Sequence, residues 1–385
     1  MNRRDFLGAA GAASVAILAP GIALAQGVQA YRNLLVLVEL KGGNDGLNTV
    51  VPFADAVYYT LRPRIAIRRE DVLQLDSRSG LHPSLAPLMP LWQSRELAIV
   101  QGIGYPDPNL SHFRSIEIWD TASKSEEYLS DGWLTRTFAA RPAPRSFAAD
   151  GVIVGSSDLG PLAGTGARAV ALTSTDQFLR QAKLAQPVQV AHTNRSLAHL
   201  LKVEADVAQA ASGLQGTHAF RTEFPQNPFG NAVRTAAQVV ASNAGVAVIR
   251  ISLNGFDTHQ NQPGPHANLL RQLAEGLVAL RGALGELDRW SSTLVMTYAE
   301  FGRRAQENGS SGTDHGTANV HFALGGRVRG GLYGVPPRLD RLENGNLAHA
   351  VDFRCLYATA LERWWGVPSS GPLGGRFVPL DILKG

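Results

Sequence analysis

The chain has 385 residues and a single cysteine, Cys355. One cysteine excludes an internal disulfide and any metal site built from several thiolates. Cys355 lies in the helix-like stretch DFRCLYATALERWWG, where a structural thiol is expected. Neither sign of charge dominates. Lys and Arg total 36 against 32 Asp and Glu, leaving a formal charge of +4. No basic stripe with interleaved aromatics occurs, which argues against nucleic-acid binding. Internal repeats and low-complexity segments are also missing; the 40 glycines and 21 prolines indicate many ordinary loops. No linker long enough to divide the chain is found. What remains is ordinary globular composition, 44% hydrophobic and 18% charged, with enough length to bury a large core.

The first residues, MNRRDFLGAAGAASVAILAPGIALAQ, have a different character. Arg3-Arg4 followed by Phe6-Leu7 forms a twin-arginine leader. A short run rich in alanine and glycine follows, and Ala23-Leu24-Ala25 fits a cleavage site. The expectation is a signal peptide over 1–25 and a single domain over 26–385, exported through the twin-arginine machinery to the periplasm or beyond. Removing Arg3, Arg4 and Asp5 changes the charge from +4 to +3, minus two and plus one. No later run is long enough to span a bilayer.

Short continuous apolar runs recur along the rest: 34–40, 97–103, 151–155, 169–172, 246–253, 293–298 and 320–324. Continuous rather than alternating apolarity predicts strands covered on both faces, as in a parallel sheet. Helical periodicity lies between them. In 268–290, Leu269, Leu273, Leu277, Leu280, Leu284 and Leu287 recur at three- and four-residue steps, so 246–298 reads as one βαβ unit. Further helices are expected over 196–214 and 231–244, and loops over 141–150 and 222–230. The fold class is therefore α/β: a doubly wound, mostly parallel sheet with helices on both faces. Ligands in such folds sit at the C-terminal ends of the strands.

Chemistry-bearing residues follow these strands: Asp45; then Ser111, His112 and Arg114; then Asp257 and His259; then Glu300; and then Asp314-His315 in a glycine-rich loop. Each alone is weak. GGND is also a good capping turn, DTH a possible helix start, Ser111-His112 a turn, and Glu300 a partner for Arg303 or Arg304. The set is stronger. Carboxylates and imidazoles together suit divalent metals, a hydroxyl can be activated by coordination, and a guanidinium can clamp developing negative charge.

The segments LVELKGGNDGLNTVVP, GLHPSLAPLMPLW, YPDPNLSHFRSIEIWDTA, GFDTHQNQ, MTYAEFGRRAQENGSSGTDHG and GGRVRGGLYG together resemble the secreted bacterial family called domain of unknown function 1501. That family is similar to the alkaline phosphatase-like superfamily of metal-dependent phosphatases, phosphomutases and sulfatases. The resemblance implies an alkaline phosphatase-like fold. It implies metal ligands at Asp45, Asp257, His259, Glu300 and His315 and a nucleophile at Ser111; Asp314 is a further candidate ligand and Arg114 a candidate phosphate clamp. Two departures stand out. The Asp257-to-His259 step is shorter than usual, and Glu300-Phe301 replaces an acid–histidine pair, leaving one histidine ligand to be supplied by His112 or Asp314. SHFRS lacks the proline that a formylglycine sulfatase requires.

The expected activity is hydrolysis of a phosphoester, on a small or polymer-borne anionic substrate. The expected cofactors are one or two divalent ions of zinc, manganese, iron or calcium. The alternative is a non-catalytic periplasmic binding or assembly factor on the same fold.

Overall fold

The structure, a computed structural model, describes residues 30–172, 210, 213 and 218–385. The leader and most of the 196–214 helix expectation lie outside those residues.

One sheet organises the molecule. Its strands are β1 (Leu34–Lys41), β2 (Leu97–Gly104), β3 (Ala149–Val154), β4 (Ala169–Leu172), β5 (Val246–Asn254), β6 (Thr293–Tyr298), β7 (Asn319–Leu324), β8 (Gly331–Gly334) and β9 (Val351–Asp352). The spatial order is β8-β2-β7-β6-β1-β5-β3-β4, with β9 also on β2. β1 pairs in parallel with both β5 and β6. The βαβ unit thus steps over β1. All seven expected strands form.

Their continuous apolarity has the expected cause. Alternate side chains of β1 enter two cores. Leu34, Val36, Val38 and Leu40 pack on one face with helices α3 (Pro228–Ala241) and α4 (Pro263–Glu286). Leu35 and Leu37 pack on the other with α1 (His112–Thr121), α2 (Trp133–Ala140) and the helix that starts at Arg354. Burying both faces removes the polar alternation of a half-exposed strand.

One strand runs against the rest. β7 is antiparallel to both β2 and β6. This reversal has a consequence for function. The parallel strands end at one edge of the sheet, and β7 begins there. Residues before β7 therefore meet residues after β1, β2, β5 and β6.

Glycines let the loops close at that edge. Gly42 has φ +112° and Gly43 has φ +81°. A Cβ at Gly42 would overlap the Asp257 backbone nitrogen, and one at Gly43 would overlap the Phe301 ring.

Candidate metal centre

Three imidazoles converge on one carboxylate at this edge. Asp257 leaves the end of β5, His112 opens α1, His259 follows Asp257 by two residues, and His315 precedes β7. Asp257 Oδ1 lies 3.0 Å from His259 Nε2 and 3.2 Å from His315 Nε2. Asp257 Oδ2 lies 3.4 Å from His112 Nε2. The two nitrogens His259 Nε2 and His315 Nε2 are 3.0 Å apart. His112, Asp257 and His315 each offer one donor atom within 4.8 Å of the others. His259 Nε2 lies near two of these three, Asp257 Oδ1 and His315 Nε2, by the distances above. A tetrahedral zinc ion with ligands at about 2.0–2.1 Å sets its donor atoms about 3.3 Å apart, so this spacing fits such an ion.

The opposite side of each ring is held. His112 Nδ1 lies 3.0 Å from Glu300 Oε1, His259 Nδ1 lies 3.4 Å from Asp314 Oδ1, and His315 Nδ1 lies 2.8 Å from the Leu110 carbonyl oxygen. Metal-binding imidazoles are commonly fixed by such outer partners, which set the tautomer and aim the other nitrogen.

The protons at His315 test the fit. A carbonyl oxygen only accepts, so Leu110 requires the proton on His315 Nδ1. Burial lowers the His315 pKa against the opposing pull of Leu110 and Asp257, so the ring is neutral near pH 7. Its Nε2 then carries a bare lone pair, facing a carboxylate oxygen and another imidazole nitrogen. His259 Nε2 lies against both of these neighbours, and its Nδ1 faces the Asp314 carboxylate. Imidazole nitrogens and a carboxylate oxygen this close, with each ring held from behind, are a donor set that fits a divalent metal ion.

Asp257 is ready to bind one. Burial would raise its carboxyl, but Arg303, through a 2.7 Å bond and its charge, outweighs this and holds it down at about 2. Arg303 itself is buried and donates also to the carbonyls of Gly42, Gly43 and Thr313. Glu300 has the opposite setting. Burial raises its carboxyl, opposed by His112 and by Gly42, whose N–H donates to Oε1 at 2.8 Å. Its Oε2 has no partner among the described residues.

Two expected site residues lie outside this convergence. Asp45 is 1% exposed and saturated. Its Oδ1 accepts Leu47 N–H at 3.2 Å, capping the helical turn Gly46–Thr49. Its Oδ2 accepts Arg62 Nη1 at 2.6 Å and Gln262 Nε2 at 2.5 Å. The capping reading of GGND is the one the structure shows. Arg114 is turned into the segment after α1. Its Nη2 donates to the carbonyls of Lys124, Ser125 and Glu127, its Nη1 pairs with Glu117 at 2.9 Å, and the guanidinium stacks 3.9 Å from the Tyr128 ring centre. Only 8% exposed behind those contacts, it is turned away from any substrate anion at the surface. Ser111 is exposed at the N-cap of α1, makes no capping bond with its hydroxyl, and stands between Leu110 and His112. Asp314 reaches the centre only through His259, and Glu300 only through His112.

Two further residues at this edge are not among the expected ones. Gln262 bonds Asp45, Thr258 and Thr313 from a fully buried position. Lys41, the last residue of β1, is exposed, with no side-chain hydrogen bond or ion pair among the described residues. Its place beside Gly42 could have singled it out from its strand position alone.

Among solved structures, similar ones include the zinc complex of the C-terminal periplasmic domain of EcEptC from Escherichia coli. It is 10% identical with TM-score 0.37, over 76% of this chain and 72% of that one. The lipoteichoic acid synthase LtaP from Listeria monocytogenes is 11% identical with TM-score 0.38, over 91% and 76%. The phosphonate monoester hydrolase of Agrobacterium radiobacter is 10% identical with TM-score 0.40, over 90% and 78%. No curated protein matches the chain. A family model matches residues 78–368, well over half of the sequence, and the chain belongs to the family described as protein of unknown function (DUF1501).

Proposed function

We propose that this protein is an exported, single-domain, alkaline phosphatase-like metallohydrolase acting on an anionic ester, with a phosphoester as the leading substrate class. The observation that carries the reading is the convergence of three Nε2 atoms, each ring held from behind, on the ionised Asp257 carboxylate.

Asp257, His259, His315 and His112 would hold the ion. Three imidazoles and one carboxylate suit zinc, iron or manganese; calcium, which prefers all-oxygen shells, fits less well. When bound, such an ion supplies Lewis-acid polarisation of an ester oxygen and activation of a nearby hydroxyl. The protein's own groups do the rest. Ser111 offers an uncommitted hydroxyl one residue from His112 and is the proposed nucleophile. α1 directs its N-terminal end, the positive end of its dipole, to the same place. Lys41 takes the anion-binding role that Arg114 cannot fill.

The test is hydrolysis of a chromogenic phosphoester by metal-loaded protein. Ser111→Ala should lose about 10^3-fold or more in kcat, the scale on which removing a serine nucleophile acts, while its metal content stays unchanged. Equal rates for Ser111→Ala and wild type would remove Ser111 from the chemistry. Lys41→Ala should raise KM with little change in kcat; an unaltered KM would end its anion-binding role.

A further inference from the structure

The donors come from segments far apart in sequence. Asp257 and His259 sit on the loop between β5 and α4, and Asp314 and His315 on the loop before β7. Something must hold these two loops in register, and the structure shows a buried hydrogen-bond hub between them. Thr258, flanked by Asp257 and His259, donates from Oγ1 to Gln262 Oε1 at 3.1 Å. Thr313, which precedes Asp314, donates from Oγ1 to the same oxygen at 2.6 Å. The amide nitrogen of Gln262 donates to Asp45 Oδ2, which Arg62 also holds. The backbones join as well: Thr313 N–H donates to the Thr258 carbonyl at 3.2 Å, and Gln262 N–H to the Ser311 carbonyl at 2.9 Å. Gln262, Thr313, Asp45 and Arg62 are each no more than 1% exposed.

We infer that Gln262 is a positioning residue of the metal centre: its one amide oxygen ties both ligand-bearing loops together, and its amide nitrogen anchors them to the Asp45–Arg62 pair. This rests on the metal reading above. The hub touches neither substrate nor the donor atoms. It keeps Asp257 and His259 facing His315 before an ion arrives, so binding does not have to order two loops. A glutamine suits the place because an amide both accepts and donates, and a carboxylate there would oppose Asp45. The Thr313 hydroxyl needs that acceptor, since a buried polar group left without a partner is costly.

The experiment measures zinc affinity of purified full-length protein by competition with a chromophoric chelator. Wild type, Gln262→Met, Thr313→Val and Thr313→Ser are compared, and the thermal melt of each metal-free form is recorded. Gln262→Met keeps the volume and removes the hub. It should weaken zinc binding by about 10–100-fold, the range typical of outer partners of metal ligands, while the metal-free protein still melts cooperatively. Thr313→Val should weaken binding in the same direction, and Thr313→Ser should restore it. If Gln262→Met fails to fold, the Val and Ser pair at Thr313 decides. Unchanged zinc affinity in Gln262→Met or Thr313→Val overturns the positioning role alone. A wild-type protein that binds no zinc, iron or manganese overturns both this inference and the metal reading.

Discussion

Two groups of histidines in this molecule differ in one respect that matters. His112, His259 and His315 are partly exposed, with Nδ1 held and Nε2 turned to a common carboxylate. His82, His266 and His321 are buried and share no hydrogen-bond partner, and His82 and His266 only pack edge to face. His82 accepts from Ser84 N–H, His266 Nε2 faces Asn44 Oδ1 at 3.0 Å, and neither nitrogen of His321 has a partner among the described residues. The same contrast separates two carboxylates. Asp45 and Asp257 each face an arginine and each are held ionised. Asp45 is 1% exposed with both oxygens occupied, whereas the Asp257 side chain is 43% exposed and adds only imidazoles to Arg303. A candidate ligand is marked by what its donor atoms face, and residue type alone does not mark it.

The comparison can be broken most forcefully at the donors. Asp257→Asn or His315→Ala should weaken metal binding by more than the roughly 100-fold upper range for outer partners, with hydrolysis lost in parallel. His266→Asn, in the other group, should leave metal content intact. Equal metal loss from both kinds of variant would erase the distinction.

The carboxylates predict a separation of effects. Asp45→Ala leaves the Arg62 charge buried and unpaired, which should cost about 3–5 kcal/mol of stability, read by denaturant unfolding of the metal-free protein. Asp257→Asn removes a partly exposed carboxylate and should cost that form much less. A metal-free Asp257→Asn protein as unstable as Asp45→Ala would contradict the contrast.

Acid sharpens the histidine comparison. Burial pulls His82 and His266 down to about 4, and His321 to about 3, from the ordinary 6.5. Between the folded and unfolded values the unfolded chain binds more protons. Stability of the metal-free protein should therefore fall as pH drops from about 6.5 toward 4, and be flat in these groups above that window. A melting temperature unchanged between pH 7 and 4.5 would contradict this. The smallest effect belongs to His321→Leu. Replacing an unpartnered buried imidazole by an apolar side chain should change stability at pH 7 by no more than about 1 kcal/mol and lessen the acid sensitivity.

Much of the fold is legible in the residues. The runs from 34 to 324 announce strands because both sheet faces are covered, and the leucine steps announce α4. The direction of β7 is not legible, because VHFAL reads the same whichever way it runs. In the site, Asp257, His259 and His315 stand out because each adjoins a strand at one edge. His112 joins them, and its meeting with Glu300 across 188 residues depends on how α1 packs. Asp45 misleads because a capping carboxylate and a metal-binding one share the same local sequence. Gln262 is silent in sequence, since an amide carries no charge and its partners come together only in the folded chain.

The most direct test is elemental analysis of the protein purified without chelators. The account predicts about one equivalent of zinc, iron or manganese per chain, as a single four-donor centre implies, and its loss in the Asp257→Asn variant. A protein that carries no metal and takes up none on reconstitution would contradict it.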